Sequence, residues 1–499
     1  MPGLLNFLRH GQIAFPMPFD RKLFWQLFAI ILPLKIALAA FFVTNSFVND
    51  LPEDPRVFGI GYVEGDSRQY YDPADDFVAG AGYSSACRMP GILPIYAPLR
   101  TVFSIPESKV IIVFIQVLLD ALTCILLAFT AGHWFGSRRA FWTTLVLYAI
   151  STFVSIRAIY LLSDSLCISF LILSIWFFTQ WLIHQRMSFL LISGFFLTWS
   201  LFMRPVVLIV FPILAIFVLL HRGGVKALFV NIAVFFSSFV LAIFLWSSYT
   251  KSITGNRIFL QAPLEDCMHN FSPPYKAIRN LIITSGDDFQ PWVESSAANW
   301  FFDYAAKPGD PFNWPQKRLT SVYNLDSIVI LRNDYLKYRS LTAEDTSSAD
   351  KLDSLSHAIV KRAEKYTLAY RTEHSFDYWV TNRLIFLRKF ILPFRLDDLL
   401  LPRLENMTLI QKIAKAGSLL LLLFVNFTAI LSVFYWLWKQ NWNWVFWAAV
   451  PWSFALGLGL FGFIEQRYLA PAYPFLLATA AGFIASFLPS NWPFFKDKF

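Results

Sequence analysis

The chain has 499 residues, of which 56% are hydrophobic and only 15% charged, and its mean hydropathy is +0.51. Soluble domains carry about 25% charged residues, so a soluble protein is excluded, and this apolar content equally excludes a disordered one. The net charge of +9 does not require a nucleic-acid partner, because basic loops on the inner side of a membrane supply such an excess.

A helix needs about 20 apolar residues to cross a bilayer. Ten such segments are predicted, at 24–45, 109–132, 139–157, 161–183, 188–203, 205–221, 226–249, 416–438, 443–463 and 468–488. The fold class expected is therefore an all-α polytopic membrane protein. The first segment follows a basic start (Arg9, Arg21, Lys22) and is too long for a signal-peptide core, so it reads as a retained anchor. The fifth and sixth are short and meet at Arg204-Pro205, where the chain must turn. With both termini inside, the inner loops collect Arg138, Arg139, Arg186, Arg222 and Lys226, whereas the loop 46–108 holds nine acids against four Arg. That asymmetry sets the orientation.

Two polar segments then lie outside. The first is 46–108. The second, 250–407, contains a helical stretch at Lys351–Thr372 and ends in Asn382–Leu401, where Arg383, Arg388, Lys389 and Arg395 alternate with apolar residues. This last stretch reads as a helix lying in the interface. The predicted division is a membrane module 1–249 including the loop 46–108, an extracytoplasmic segment 250–407, and C-terminal membrane helices 408–499. Of four cysteines, Cys124 and Cys167 fall in apolar runs, while Cys87 and Cys267 share the outer side and leave a disulfide open. No CxxC or HExxH spacing occurs and the seven His are scattered, so neither a metal nor another cofactor is expected.

Polar residues in or at the ends of spans are costly and raise a functional question. The outer ends gather Asp66, Arg88, Asp164, Arg204, Glu465 and Arg467 at one depth. Lys35 and Asp120 instead lie mid-span, as expected of a buried ion pair or a helix–helix hydrogen bond. The loop 46–108 is densest: Gly65-Asp66-Ser67-Arg68-Gln69-Tyr70, then Gly80-Ala81-Gly82-Tyr83, then Arg88-Met89-Pro90-Gly91. A carboxylate just outside the bilayer can accept a proton from an attacking hydroxyl, and an arginine fork can hold a phosphate. Asp72, Asp75 and Asp76 read as solvated loop acids.

These motifs resemble the first extracytoplasmic loop of the membrane-embedded GT-C glycosyltransferases, in the bacterial branch related to protein O-mannosyltransferases and aminoarabinose transferases. The resemblance continues through Gln116 and Asp120, Phe135-Gly136 before Arg138-Arg139, Leu162-Ser163-Asp164 and Met203-Arg204-Pro205, and returns at Arg467-Tyr468 and Pro474. Where the aminoarabinose branch carries Glu-Lys-Pro, this chain reads Cys87-Arg88-Met89-Pro90, so a loop carboxylate is absent there. Asp164 or Glu465 would have to supply a second one.

The resemblance implies transfer of a sugar from a polyprenyl-phosphate donor to a lipid, glycan or protein acceptor at the outer face of the plasma membrane, with inversion. Asp66 would be the base, Arg88, Arg204 and Arg467 would hold the donor phosphate, and Tyr70, Tyr83, Asp164 and Glu465 would line the substrate site. The residues alone leave alternatives open. Asp164 also suits a helix N-terminus, Arg204 and Arg467 suit headgroup anchors, and the two tyrosines suit packing. The competing classes are a lipid-linked sugar flippase and a membrane scaffold. A flippase would show repeated halves and binding groups at the midplane, and a scaffold leaves the first-loop pattern unexplained.

Overall fold

The computed structural model describes residues 20–46, 54–63, 66–85, 87–220, 224–261, 272–284, 300–302, 314, 318–344, 349–391, 399–402, 404–460 and 466–488. It divides into two compact units, one of residues 1–261, 391–457 and 466–499 and one of 262–390 and 458–465. The protein is an all-α polytopic membrane protein.

In the first unit, every one of the ten predicted segments is mainly helical: α1 (Arg21–Asn45), α4 (Ile105–Phe135), α5 (Arg138–Ala149) with α6 (Thr152–Ser155), α7 (Asp164–His184), α8 (Met187–Met203), α9 (Val210–Leu220), α10 (Val225–Thr254), α15 (Leu409–Trp438), α16 (Trp442–Leu460) and α17 (Tyr473–Phe487). Between the first and second of these the chain forms a small hairpin, β1 (Arg56–Val57) and β2 (Gly61–Tyr62), and two short helices, α2 (Ser67–Val78) and α3 (Leu93–Arg100). Among the described residues five helices, α1, α4, α7, α10 and α15, are each long and apolar enough to cross a membrane alone. The most apolar windows of α4 and α7 are 61% and 83% buried, against 22% for α1 and 11% for α10. The core of the bundle therefore runs along α4 and α7, while α1 and α10 turn most of their surface outward.

The third predicted span departs from a simple crossing. It bends by 54° between α5 and the stretch 152–159, which continues α6 as a 3-10 turn (Ile156–Ile159). A break leaves backbone carbonyls short of helical partners; here the Tyr148 carbonyl accepts from Ser151 N–H at 3.1 Å and takes a second bond from a side chain. The Lys35 ammonium donates to the Tyr148 carbonyl (3.2 Å) and to Ser155 Oγ (2.7 Å), and pairs with Asp120 Oδ2 at 3.1 Å. Ser155 Oγ in turn donates to the Ser151 carbonyl at 3.0 Å. The two mid-span charges thus neutralise each other in the interior and fasten α1 and α4 to the bend.

Two close approaches fix how α8 packs. A Cβ at Gly194 on α8 would stand 2.1 Å from the Phe235 carbonyl oxygen of α10, and one at Gly91 would stand 2.5 Å from that of Phe202. Only glycine allows these backbones to touch. The second unit packs α11 (Pro273–Thr284), α12 (Leu325–Glu344) and α13 (Ala349–Glu373) around Ile278, Leu281, Phe301, Ile328, Leu331 and Ile359. A π-turn, Asp377–Thr381, joins this group to α14 (Asn382–Ile391). The basic stretch expected to lie flat thus continues a helix through its first half, and residues 392–398 lie outside the described residues.

Candidate active site

The hairpin docks against the segment that precedes α7. Leu161 N–H donates to the Tyr62 carbonyl at 2.9 Å, and the Tyr62 and Tyr160 rings meet edge to face at 5.1 Å. Four residues after the hairpin comes Asp66, the residue that opens α2. Its carboxylate caps no backbone N–H of the helix. It faces Arg88 instead, with Oδ1 3.3 Å from Arg88 Nη2, the two side chains being 16% and 8% exposed. Gln69 and Tyr70 follow Asp66 at i+3 and i+4, on the same helical face. Gln69 Oε1 accepts from Arg88 Nε at 2.9 Å, and the Arg88 guanidinium lies 5.1 Å from the centre of the Tyr70 ring.

The backbone of Arg88 is held as firmly as its side chain. The Tyr83 hydroxyl donates to the Arg88 carbonyl at 3.2 Å. Tyr83 is itself clamped by Tyr249 of α10, whose hydroxyl accepts from Tyr83 N–H at 2.6 Å and donates to its carbonyl at 3.0 Å. Burial raises the Tyr83 hydroxyl far above the ordinary phenol range, with Tyr70 adding and Arg88 opposing, so it stays a neutral donor. Gly82, at φ +82° and with only 3.2 Å of room beside the Tyr249 hydroxyl, permits the approach. Cys87 is disulfide-bonded, whereas Cys124 and Cys167 are buried thiols and Cys267 lies outside the described residues.

A second pair completes the group. Pro205 disfavours the helical region for the residue before it, so α8 stops and Arg204 adopts φ −146°, ψ 113°. Its guanidinium hydrogen-bonds Asp164, the first residue of α7, and both side chains are almost fully buried. Arg204 also lies 6.0 Å from the Tyr70 ring and 5.9 Å from that of Tyr468. Tyr70, 2% exposed, is thus within cation–π reach of both arginines. Five of the eight residues expected at the site, Asp66, Arg88, Tyr70, Asp164 and Arg204, come together. Tyr83 supports Arg88 from behind. The backbone of Arg467 falls in the turn Gln466–Leu469, its side chain is not described, and Glu465 lies outside the described residues. Among the described residues no group of three or more His, Cys, Asp or Glu side chains gathers to hold a metal.

Tyr83, whose hydroxyl holds the Arg88 carbonyl, lines a groove of about 570 Å³ together with Pro90, Gly91, Leu93 and Pro94, and α8 and α10 form the other wall. Phe202, Trp199, Leu241, Leu245 and Trp246 make it almost wholly apolar. Trp199 Nε1 donates to the Gly91 carbonyl at 2.9 Å, tying the loop to α8.

Sequence reading assigned no role to Gln69, Trp199, Trp246 or Tyr249. The last three are aromatic residues toward the C-terminal ends of α8 and α10, where an interfacial belt explains them equally well, so only the contact with the loop sets them apart.

Residues 96–249 match the family model described as dolichyl-phosphate-mannose-protein mannosyltransferase. The match indicates a membrane glycosyltransferase of GT-C type. It runs from within α3 to within α10, so it contains Asp164, Arg204 and the α8–α10 wall of the groove but neither Asp66 nor Arg88. Comparison with curated proteins and with solved structures returns no match.

Proposed function

We propose that the protein transfers a sugar from a polyprenyl-phosphate donor to an acceptor at the outer face of the plasma membrane, with inversion at the anomeric carbon. The observation that carries this reading is that Tyr83, which lines the apolar groove, also holds the backbone of Arg88, whose side chain belongs to the paired charges around Tyr70. Such a neighbourhood suits a molecule with a long hydrocarbon tail and a charged, hydrogen-bonding head. The tail lies in the groove, the phosphate meets Arg88 and Arg204, and the sugar projects toward Asp66.

In the transfer, an acceptor oxygen bonds to the anomeric carbon as the bond from that carbon to the phosphate oxygen breaks. The electron pair leaves on the phosphate, and the acceptor's proton passes to an oxygen of Asp66. The fixed guanidinium groups stabilise the charge that develops on the leaving phosphate. Arg467 is assigned to the same clamp and Glu465 to the substrate on the strength of the sequence, and Asp164 holds Arg204 in place. Tyr70 acts through the arginines that it touches, and Tyr83 through the backbone of Arg88.

The test is transfer of labelled sugar in lipid nanodiscs, with a panel of polyprenyl-phosphate sugars and an envelope lipid, glycan or peptide fraction as acceptor. Label appearing on an acceptor, with release of polyprenyl phosphate in equal amount, supports the reading. Movement of labelled donor between leaflets without any transfer would overturn it.

A further inference from the structure

The two arginine–carboxylate pairs of the site differ in a way that bears on the order of events. Arg204 and Asp164 belong to the facing ends of α8 and α7, which pack along their length, and their side chains are 4% and 3% exposed. Arg88 and Asp66 both come from the segment between α1 and α4; they stand 3.3 Å apart, with 8% and 16% of their side chains exposed. Within Arg88, Nε is anchored on Gln69 and the guanidinium plane on the Tyr70 ring, while the Nη2 corner is what reaches Asp66. An incoming phosphate competes with a carboxylate for that corner, because it offers the same charge-assisted hydrogen bond. The looser and wetter pair is the one that yields.

Resting on the reading that Arg88 receives the donor phosphate, we infer that Arg88 holds Asp66 until the donor arrives, and that the phosphate then draws Nη2 away and turns Asp66 over to the acceptor. The donor binds first. The oxygen that takes the acceptor's proton is engaged by Arg88 in the resting protein and is presented only once a lipid phosphate occupies the arginine. Gln69 is a positioning residue in this exchange, since it keeps Nε fixed while the other edge of the guanidinium changes partner.

The exchange is read from the chemical reactivity of Asp66. The full-length protein in nanodiscs is treated with a water-soluble carbodiimide and an amine, and labelling of Asp66 is followed by mass spectrometry with and without polyprenyl monophosphate, the sugar-less product. Binding of the monophosphate is followed separately by thermal shift. A several-fold faster labelling of Asp66 in its presence is expected. Arg88→Gln should label fast without it and respond little to it. A monophosphate that raises the melting temperature but leaves Asp66 labelling unchanged or slower would overturn the exchange while leaving the donor reading intact. Arg88→Gln that folds and labels no faster than the wild type would overturn it too. If neither melting nor labelling responds, the donor reading itself falls, and the exchange with it. Should Arg88→Gln fail to fold, the wild-type comparison decides alone.

Discussion

Asp66 opens a helix without capping it, and its carboxylate is turned to Arg88. Asp66→Asn keeps the size and most of the hydrogen bonding but removes the proton acceptor. Turnover should fall by about 10²–10⁴-fold, the usual worth of general base catalysis, in protein that still folds, and a near-normal rate would mean that another group takes the proton. At Arg88, replacement by Ala should raise the donor concentration needed for half-maximal rate by about ten- to a hundredfold, the worth of one charge-assisted hydrogen bond. Acceptor dependence should change less. Arg88→Lys should recover only part, because an ammonium is a point charge and cannot keep Gln69 and a phosphate on two edges at once. Donor titrations at fixed acceptor, and the reverse, measure both. The sequence made Asp66 and Arg88 legible because ionisable groups at a membrane boundary are costly. Gln69 was not legible, since a lone amide in a polar loop has no such cost, and its role exists only through the 2.9 Å contact with Arg88.

At the scale of elements, the bend between α5 and α6 and the glycine contacts of α8 fix the packing around the site. Lys35→Met would leave Asp120 charged and alone in the interior, which costs about 3–5 kcal/mol. Lys35→Met with Asp120→Leu should recover a large share of that loss. Unfolding titrations in mixed detergent micelles of both singles and the double would give the coupling. Gly194→Ala would push a methyl group against the Phe235 carbonyl and force α8 and α10 apart, at roughly 1–3 kcal/mol for overpacking. The same titration reads it. Hydropathy located the apolar helices of the described residues, because in lipid the backbone must satisfy its own hydrogen bonds and a helix is the one local solution. It could not show the 54° bend, since Lys35, which adds a bond to the Tyr148 carbonyl at the broken turn, lies more than a hundred residues away. The hairpin was equally hidden. Its two strands are two residues each, and what holds them is Tyr160 and Leu161 of a distant segment.

For the whole molecule, the orientation rests on charge alone and is open to direct test. Single cysteines at the exposed positions Ala79 and Ile330 should react with a membrane-impermeant maleimide on intact cells, whereas one at Gly224 should react only after permeabilisation. The native thiols Cys124 and Cys167 are buried and give little background. A protected Ala79 position would put Asp66 on the inner side and remove the proposed chemistry. The groove adds a kinetic signature. It lies between α8 and α10, whose flanks expose Phe195, Leu241 and Leu245, so a lipid-tailed donor reaches it by lateral diffusion in the plane of the bilayer. The concentration that governs saturation is then two-dimensional, a mole fraction of donor among lipids. Adding inert phospholipid at constant donor and enzyme per volume should slow the reaction by surface dilution, while diluting the whole vesicle suspension with buffer should leave each enzyme's turnover of donor unchanged.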